Sequence, residues 1–188
     1  MFVKLSAVVT ALALAGTTVA HGVISSPPRR QPGANFTAVC GSQIDSIVSS
    51  DQYGNQQLEE QNINSQTTAA CHLYLCKGLQ YADNTANVQH YPANTVVPIT
   101  IDIRAPHTGV ANVSVVATAT NKVIAGPLIS FNPAYSVSAP IPANQTSFSV
   151  TIPNLNGQCA TAGACVLQWW WDARSVDQTY MSCVDITQ

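Results

Sequence analysis

The chain has 188 residues, of which only 9% are charged, and its formal net charge is −2. That balance excludes the concentrated basic surface on which nucleic-acid binding depends. A weakly charged chain rich in Asn, Gln, Ser and Thr suits an uncharged, hydroxyl-rich partner such as a neutral polysaccharide.

Residues 1–20 read as a secretory signal peptide, to be removed from the mature protein. Met1-Phe2-Val3-Lys4 gives a short positive start, residues 5–16 are apolar, and Thr18-Val19-Ala20 places small residues at the positions a signal peptidase inspects. Beyond residue 20 no apolar run reaches membrane-spanning length. The expectation is one secreted, extracellular domain over residues 21–188, with no membrane association and no nucleic-acid partner, working as a monomer. Cleavage after Ala20 makes His21 the amino terminus. A terminal histidine offers a metal two nitrogens from one residue, the α-amine and an imidazole nitrogen, spaced to close a chelate ring. No internal histidine can do that.

Residues 22–93 have few aliphatic runs and many Gln, Asn, Ser and Pro, together with Cys40, Cys71 and Cys76. They predict a long loop-rich region, with one short helix near Ser42–Ser50, pinned by disulfides to the rest. Loops of that length in a compact domain are usually functional. The six cysteines form an even count in an oxidising compartment and predict three disulfides. Cys159 and Cys165 read as a locally closed loop; the other pairings stay open. Asn35-Phe36-Thr37, Asn112-Val113-Ser114 and Asn144-Gln145-Thr146 fit the glycosylation pattern.

From about Asn94 the pattern has the period of two expected for half-buried strands. Ile99, Ile101 and Ile103 alternate with Thr100, Asp102 and Arg104, as do Phe148, Val150 and Ile152 with Ser147, Ser149 and Thr151. Val113 and Val115 repeat it against Asn112 and Ser114. Pro98, Pro127, Pro133, Pro140, Pro142 and Pro153 punctuate these runs, which predicts short strands separated by turns. The fold class is all-β: an immunoglobulin-like antiparallel β-sandwich with long disulfide-pinned N-terminal loops. Trp169, Trp170 and Trp171 cannot all point inward on a strand, so one face is core and the other partly exposed.

A copper site on His21 needs a further nitrogen, and the chain offers only His72, His90 and His107. His107 is best placed, between the alternating run 99–104 and Val113-Ser114-Val115, where a sandwich holds a turn rigidly. His72 sits beside Cys71, and His90 reads as a surface loop residue. Nitrogen donors in a planar T with a weak axial oxygen suit Cu(II), whereas zinc prefers a tetrahedron. An α-amine has a reference pKa of about 7.7–8.0, so it gives up its proton to a cupric ion near neutrality at little cost.

Three segments resemble the lytic polysaccharide monooxygenases. His21-Gly22-Val23-Ile24-Ser25-Ser26-Pro27-Pro28-Arg29-Arg30 is similar to their mature start, Ala105-Pro106-His107-Thr108-Gly109 to their second-histidine segment, and Gln178-Thr179-Tyr180 ahead of Cys183 to the Gln-x-Tyr motif of fungal members. With Tyr81-Ala82-Asp83-Asn84-Thr85-Ala86-Asn87 and Gln168-Trp169-Trp170-Trp171-Asp172, the wording looks most like the fungal auxiliary-activity family sixteen. The resemblance implies one copper per chain held by His21 and His107, with Tyr180 axial and Gln178 facing the oxygen species. It implies oxidative cleavage of glycosidic bonds in cellulose, with chitin second, using O2 or H2O2 and an external electron donor. One departure stands out: many members of the largest fungal family carry a histidine some nine residues before the glutamine, where this chain reads Gln168-Trp169-Trp170. The competing readings are a secreted copper-binding protein and a peroxide-producing copper oxidase, both of which need the same two histidines. Tyr180 also reads as a packed strand tyrosine, and Tyr53 and Tyr91 as loop aromatics able to stack on sugar rings.

Overall fold

A computed structural model describes residues 21–188; the signal-peptide reading falls on residues 1–20, outside the described residues. Two sheets face each other. One has the strand order β1 (His21–Ser26), β3 (Val96–Ala105), β6 (Ser147–Thr151), and the other β2 (Gln89–His90), β8 (Gln178–Thr187), β7 (Cys165–Ala173), β4 (Gly109–Ala117), β5 (Lys122–Ala134). Neighbouring strands run antiparallel, except that the two-residue β2 lies parallel to β8. This is the β-sandwich that the alternating runs predict. Val97, Ile99 and Ile101 of β3 pack with Val113 and Val115 of β4 and with Trp169 and Trp171 of β7 in one buried cluster, while Trp170 turns to the other face of its sheet and is partly exposed.

Strand β8 shows no alternation in burial, because both its faces are covered. Tyr180, Val184 and Ile186 face the sandwich, and Met181 and Cys183 meet Leu75 and Cys76 of the N-terminal region. That region carries three short helices, α1 (Ala34–Cys40), α2 (Ser42–Ser50) and α3 (Gln56–Glu60). The helix expected near Ser42–Ser50 is α2. A fourth, α4 (Ala143–Thr146), precedes β6. The disulfides pair Cys40 with Cys71, Cys76 with Cys183, and Cys159 with Cys165, so the local loop is as expected and Cys76–Cys183 fastens the loop layer to β8. The Arg30 guanidinium adds a second fastening, donating from Nε and Nη2 to Asp185 at 2.8 and 2.6 Å with both side chains buried.

Two expectations need correction. Residues 21–26 are a strand, not the start of a loop region, and Pro98, Pro127 and Pro133 lie inside strands rather than between them. Proline is tolerated in a sheet where its nitrogen faces no partner. Strand β5 is the edge of its sheet. In β3, residues 96–100 pair with β6 while β1 pairs only from Thr100 onward, so Pro98 has a neighbour on one side alone. No helix among the described residues is long and apolar enough to cross a membrane.

Candidate metal centre

Strand β1 brings His21 to one end of the sandwich, where its backbone pairs with Ala105, the last residue of β3. His107 follows two residues later in the connection to β4. Register thus sets the two histidine-bearing segments side by side. The same end holds the close of β7 and the opening of β8, where Trp171 pairs with Tyr180 and Ala173 with Gln178.

Two glycines show how tightly these segments close. A Cβ on Gly22 would stand 2.7 Å from Ile103 Cδ1, 3.1 Å from Trp169 Cη2 and 3.3 Å from Trp171 Cζ3, so residue 22 must be bare for β1 to lie on the indole pair. A Cβ on Gly109 would meet the Asp172 carbonyl oxygen and approach Trp171 Nε1 to 2.9 Å, which seats the His107 loop on the end of β7. Trp171 in turn stacks on Tyr180, with ring centroids 4.4 Å apart and planes at 27°. The His-Gly pair, the His107 loop, Trp171 and Tyr180 therefore form one packed unit.

The Tyr180 ring is buried, and its hydroxyl donates to Gln178 Oε1 at 2.6 Å. Burial pushes the phenol well above its ordinary pKa, against a hydrogen bond with Asn55, so the oxygen stays protonated across the working pH range. Its oxygen is a neutral, weak donor. Gln178, with its carbonyl taken by Tyr180, presents its amide N–H groups as donors.

Asp51 was not foreseen from the sequence. Its Oδ2 lies 2.6 Å from His21 Nε2. Asp51 follows α2 at the start of a turn whose Tyr53 carbonyl accepts the Gly22 N–H at 3.2 Å. A lone aspartate in a polar loop carries no pattern that ties it to a histidine thirty residues away; only the pairing of β1 reveals it. Asn55, which caps α3 through Leu58 N–H, and Trp171 are the other contributors that local patterning does not pick out.

The remaining candidates lie elsewhere. His90 is exposed beside Thr187 at the far end of β8, its Nδ1 3.2 Å from Thr187 Oγ1, and Tyr91 packs on the core next to it. His72 is exposed and borders a depression with Tyr81, Thr118 and Gly163, past the distant end of β4. Tyr53 does flank the centre, but the Arg104 guanidinium covers its ring at 4.7 Å and its hydroxyl donates to Asp102 at 2.9 Å.

The donor set fits copper. Among the described residues no three His, Cys, Asp or Glu side chains stand together as a metal site. His21 and His107 would each offer an imidazole nitrogen, and a terminal α-amine at His21 would add a third. Two imidazoles and an amine, with the neutral Tyr180 phenol beside them, would make a nitrogen-rich set of the kind Cu(II) favours.

The fold is an all-β sandwich with the two histidine-bearing segments side by side at one end. The chain belongs to the family described as "Lytic polysaccharide mono-oxygenase, cellulose-degrading", which matches residues 21–186. Among solved structures it is similar to an AA10 lytic polysaccharide monooxygenase from Streptomyces lividans, at 15% identity and a TM-score of 0.47 over 89% of this chain and 100% of that one. It is also similar to a chitin binding domain from Burkholderia pseudomallei, at 14% identity and a TM-score of 0.46 over 89% of this chain and 98% of that one. No curated protein matches the chain.

Proposed function

We propose that the protein is a secreted, copper-dependent lytic polysaccharide monooxygenase that cleaves cellulose oxidatively, with chitin as second choice, and that it stands nearest the fungal auxiliary-activity family sixteen. The observation that carries this is the delivery of His21 by β1 beside the His107 loop, over Trp171, Tyr180 and Gln178. His21, through its α-amine and ring, and His107 would hold the metal, with the Tyr180 oxygen as a neutral, weak donor beside them. Copper, when bound, supplies the one-electron chemistry by which O2 or H2O2 oxidises the glycosidic linkage, electrons coming from an external donor. The protein's own part is positional: β1 and β3 fix the histidines, Tyr180 stays protonated and pins the Gln178 carbonyl, and Gln178 turns its amide N–H groups toward an incoming oxygen species. Processing after Ala20 is supported by the signal-like residues 1–20 and by a family match that begins at residue 21. The family-sixteen placement rests on the Ser-Pro-Pro, Tyr81–Asn87 and Gln168–Asp172 wording alone.

The test uses secreted protein shown by intact mass to begin at His21, loaded with copper and incubated with cellulose or chitin and a reductant. Oxidised oligosaccharides from cellulose, lost in His107→Ala but kept in His90→Ala, are the expected result. Tight copper binding with no oxidised product would overturn the monooxygenase reading, and peroxide release would then separate a copper oxidase from a copper-binding protein.

A further inference from the structure

An imidazole that chelates together with its own α-amine must use Nδ1. The atoms N, Cα, Cβ, Cγ and Nδ1 close a six-membered ring with the metal, whereas Nε2 points away from it. In this structure the Asp51 carboxylate lies 2.6 Å from Nε2, the nitrogen the chelate does not use. The carboxylate is itself fixed. Its Oδ1 accepts the Tyr53 N–H at 3.0 Å, its backbone carbonyl accepts the Gly54 N–H at 3.2 Å, and the Tyr53 carbonyl accepts the Gly22 N–H at 3.2 Å. The turn 51–54 thus grips the His-Gly unit twice, once through the backbone of Gly22 and once through the ring of His21. Lys77 braces the turn from beneath, its Nζ donating to the Gly54 and Gln52 carbonyls at 2.8 and 3.3 Å.

We propose that Asp51 is a positioning residue for the metal: it accepts the Nε2–H proton, selects the tautomer in which Nδ1 carries the lone pair, and fixes the ring plane for chelation. This rests on the copper reading above. A carboxylate behind a ligating imidazole orients it and raises its basicity, and loss of such a partner typically costs about 10- to 100-fold in metal affinity. As an acceptor placed behind the ring it also favours the more highly charged cupric ion over the cuprous one.

The test takes the full chain processed to begin at His21 and compares wild type with Asp51→Ala, Asp51→Asn and Asp45→Asn. The last removes the same charge from α2, where Asp45 contacts Thr37 and Ser49 rather than His21. Ring-nitrogen NMR of the metal-free protein reads the tautomer, and titration against a competing chelator reads Cu(II) and Cu(I) affinity. Asp51→Ala should mix the His21 tautomers and weaken Cu(II) binding about 10- to 100-fold, with a smaller loss for Cu(I). Asp51→Asn keeps an oxygen for the Tyr53 N–H, which guards against a folding artefact, and should still weaken Cu(II) binding about tenfold. Asp45→Asn should match wild type. Wild-type tautomer and affinity in both Asp51 variants would overturn this inference alone. Failure of the wild type to bind copper tightly would overturn the function reading and this inference with it.

Discussion

At the scale of single residues, the centre depends as much on a missing side chain as on the histidines. Gly22 lets β1 settle on Ile103, Trp169 and Trp171, and the methyl group of alanine there would stand inside normal contact distance of all three. Ile103 Cδ1 is the end of a flexible chain and can yield; the two indoles, buried and fixed against Tyr135 at 6.1 and 4.9 Å between ring centroids, cannot. Overpacking of a tight contact costs typically about 1–3 kcal/mol. Gly22→Ala should therefore lower stability by roughly 1–2 kcal/mol in urea unfolding and also weaken copper binding, because the displaced residue is bonded to His21. A variant as stable as wild type would show that β1 can ride outward, and the account of why glycine follows the histidine would be wrong.

At the scale of elements, Arg30 shows how a motif position acts at a distance from the chemistry. It stands past the end of β1 and joins that segment to β8: its N–H donates to the Cys183 carbonyl at 2.8 Å, and its guanidinium spans Asp185 and the Leu79 carbonyl. Arg30→Met would keep the stem but leave the Asp185 carboxylate buried without its counter-charge, a loss of about 3–5 kcal/mol. Pairing it with Asp185→Leu should recover most of that stability, since an apolar pair of similar volume replaces a buried ion pair at little net cost. Denaturant midpoints of the single and double variants decide this; equal losses in both would point to packing rather than charge. The sequence resemblance marked Arg30 as a position but not what it touches, and the same limit applies across the fold. Strands with one wet face, such as 96–105 and 147–151, were legible because burial alternates along them. Strand β1 was not: its buried residues Gly22, Val23 and Ile24 run consecutively, as in a segment covered on both sides, and six residues are too few to declare a period. The prolines of the long β5 look like breaks in the sequence, and only the strand's place at the sheet edge accommodates them. The candidate residues His21, His107, Gln178 and Tyr180 are read from motif wording, whereas Asp51 and Asn55 enter by long-range pairing that no local pattern encodes.

At the scale of the whole molecule, the loop layer is what holds β8 and the 51–54 turn in register, and a buried contact between Glu59 and Lys77 lies at its centre. Glu59 of α3 is 1% exposed and meets Lys77 Nζ at 3.1 Å, while Lys77 also binds the carbonyls of the turn. On the same helix Gln57 clamps β8, accepting the Thr179 N–H and donating to its hydroxyl at 2.8 and 2.9 Å. Burial raises the Glu59 pKa to about 7, Lys77 opposing and Glu60 adding to the rise. An acid with a raised native pKa holds its proton in the folded state after the unfolded chain has released it. Stability from this group is therefore complete below about pH 4.5, falls as pH rises through the window up to about 7, and then levels, by about 3 kcal/mol in all. Asp83 and Asp102 slope the opposite way at lower pH: burial would raise them, but hydrogen bonds from Asn35 and Phe36, and from Arg104 and Tyr53, outweigh it and hold both below the ordinary carboxylate range. The contribution of Glu59 is isolated by comparing urea midpoints of wild type and Glu59→Gln between pH 4 and 8. The glutamine variant should lose the downward slope between about pH 4.5 and 7, and a difference curve independent of pH would show that folding leaves the Glu59 pKa unchanged.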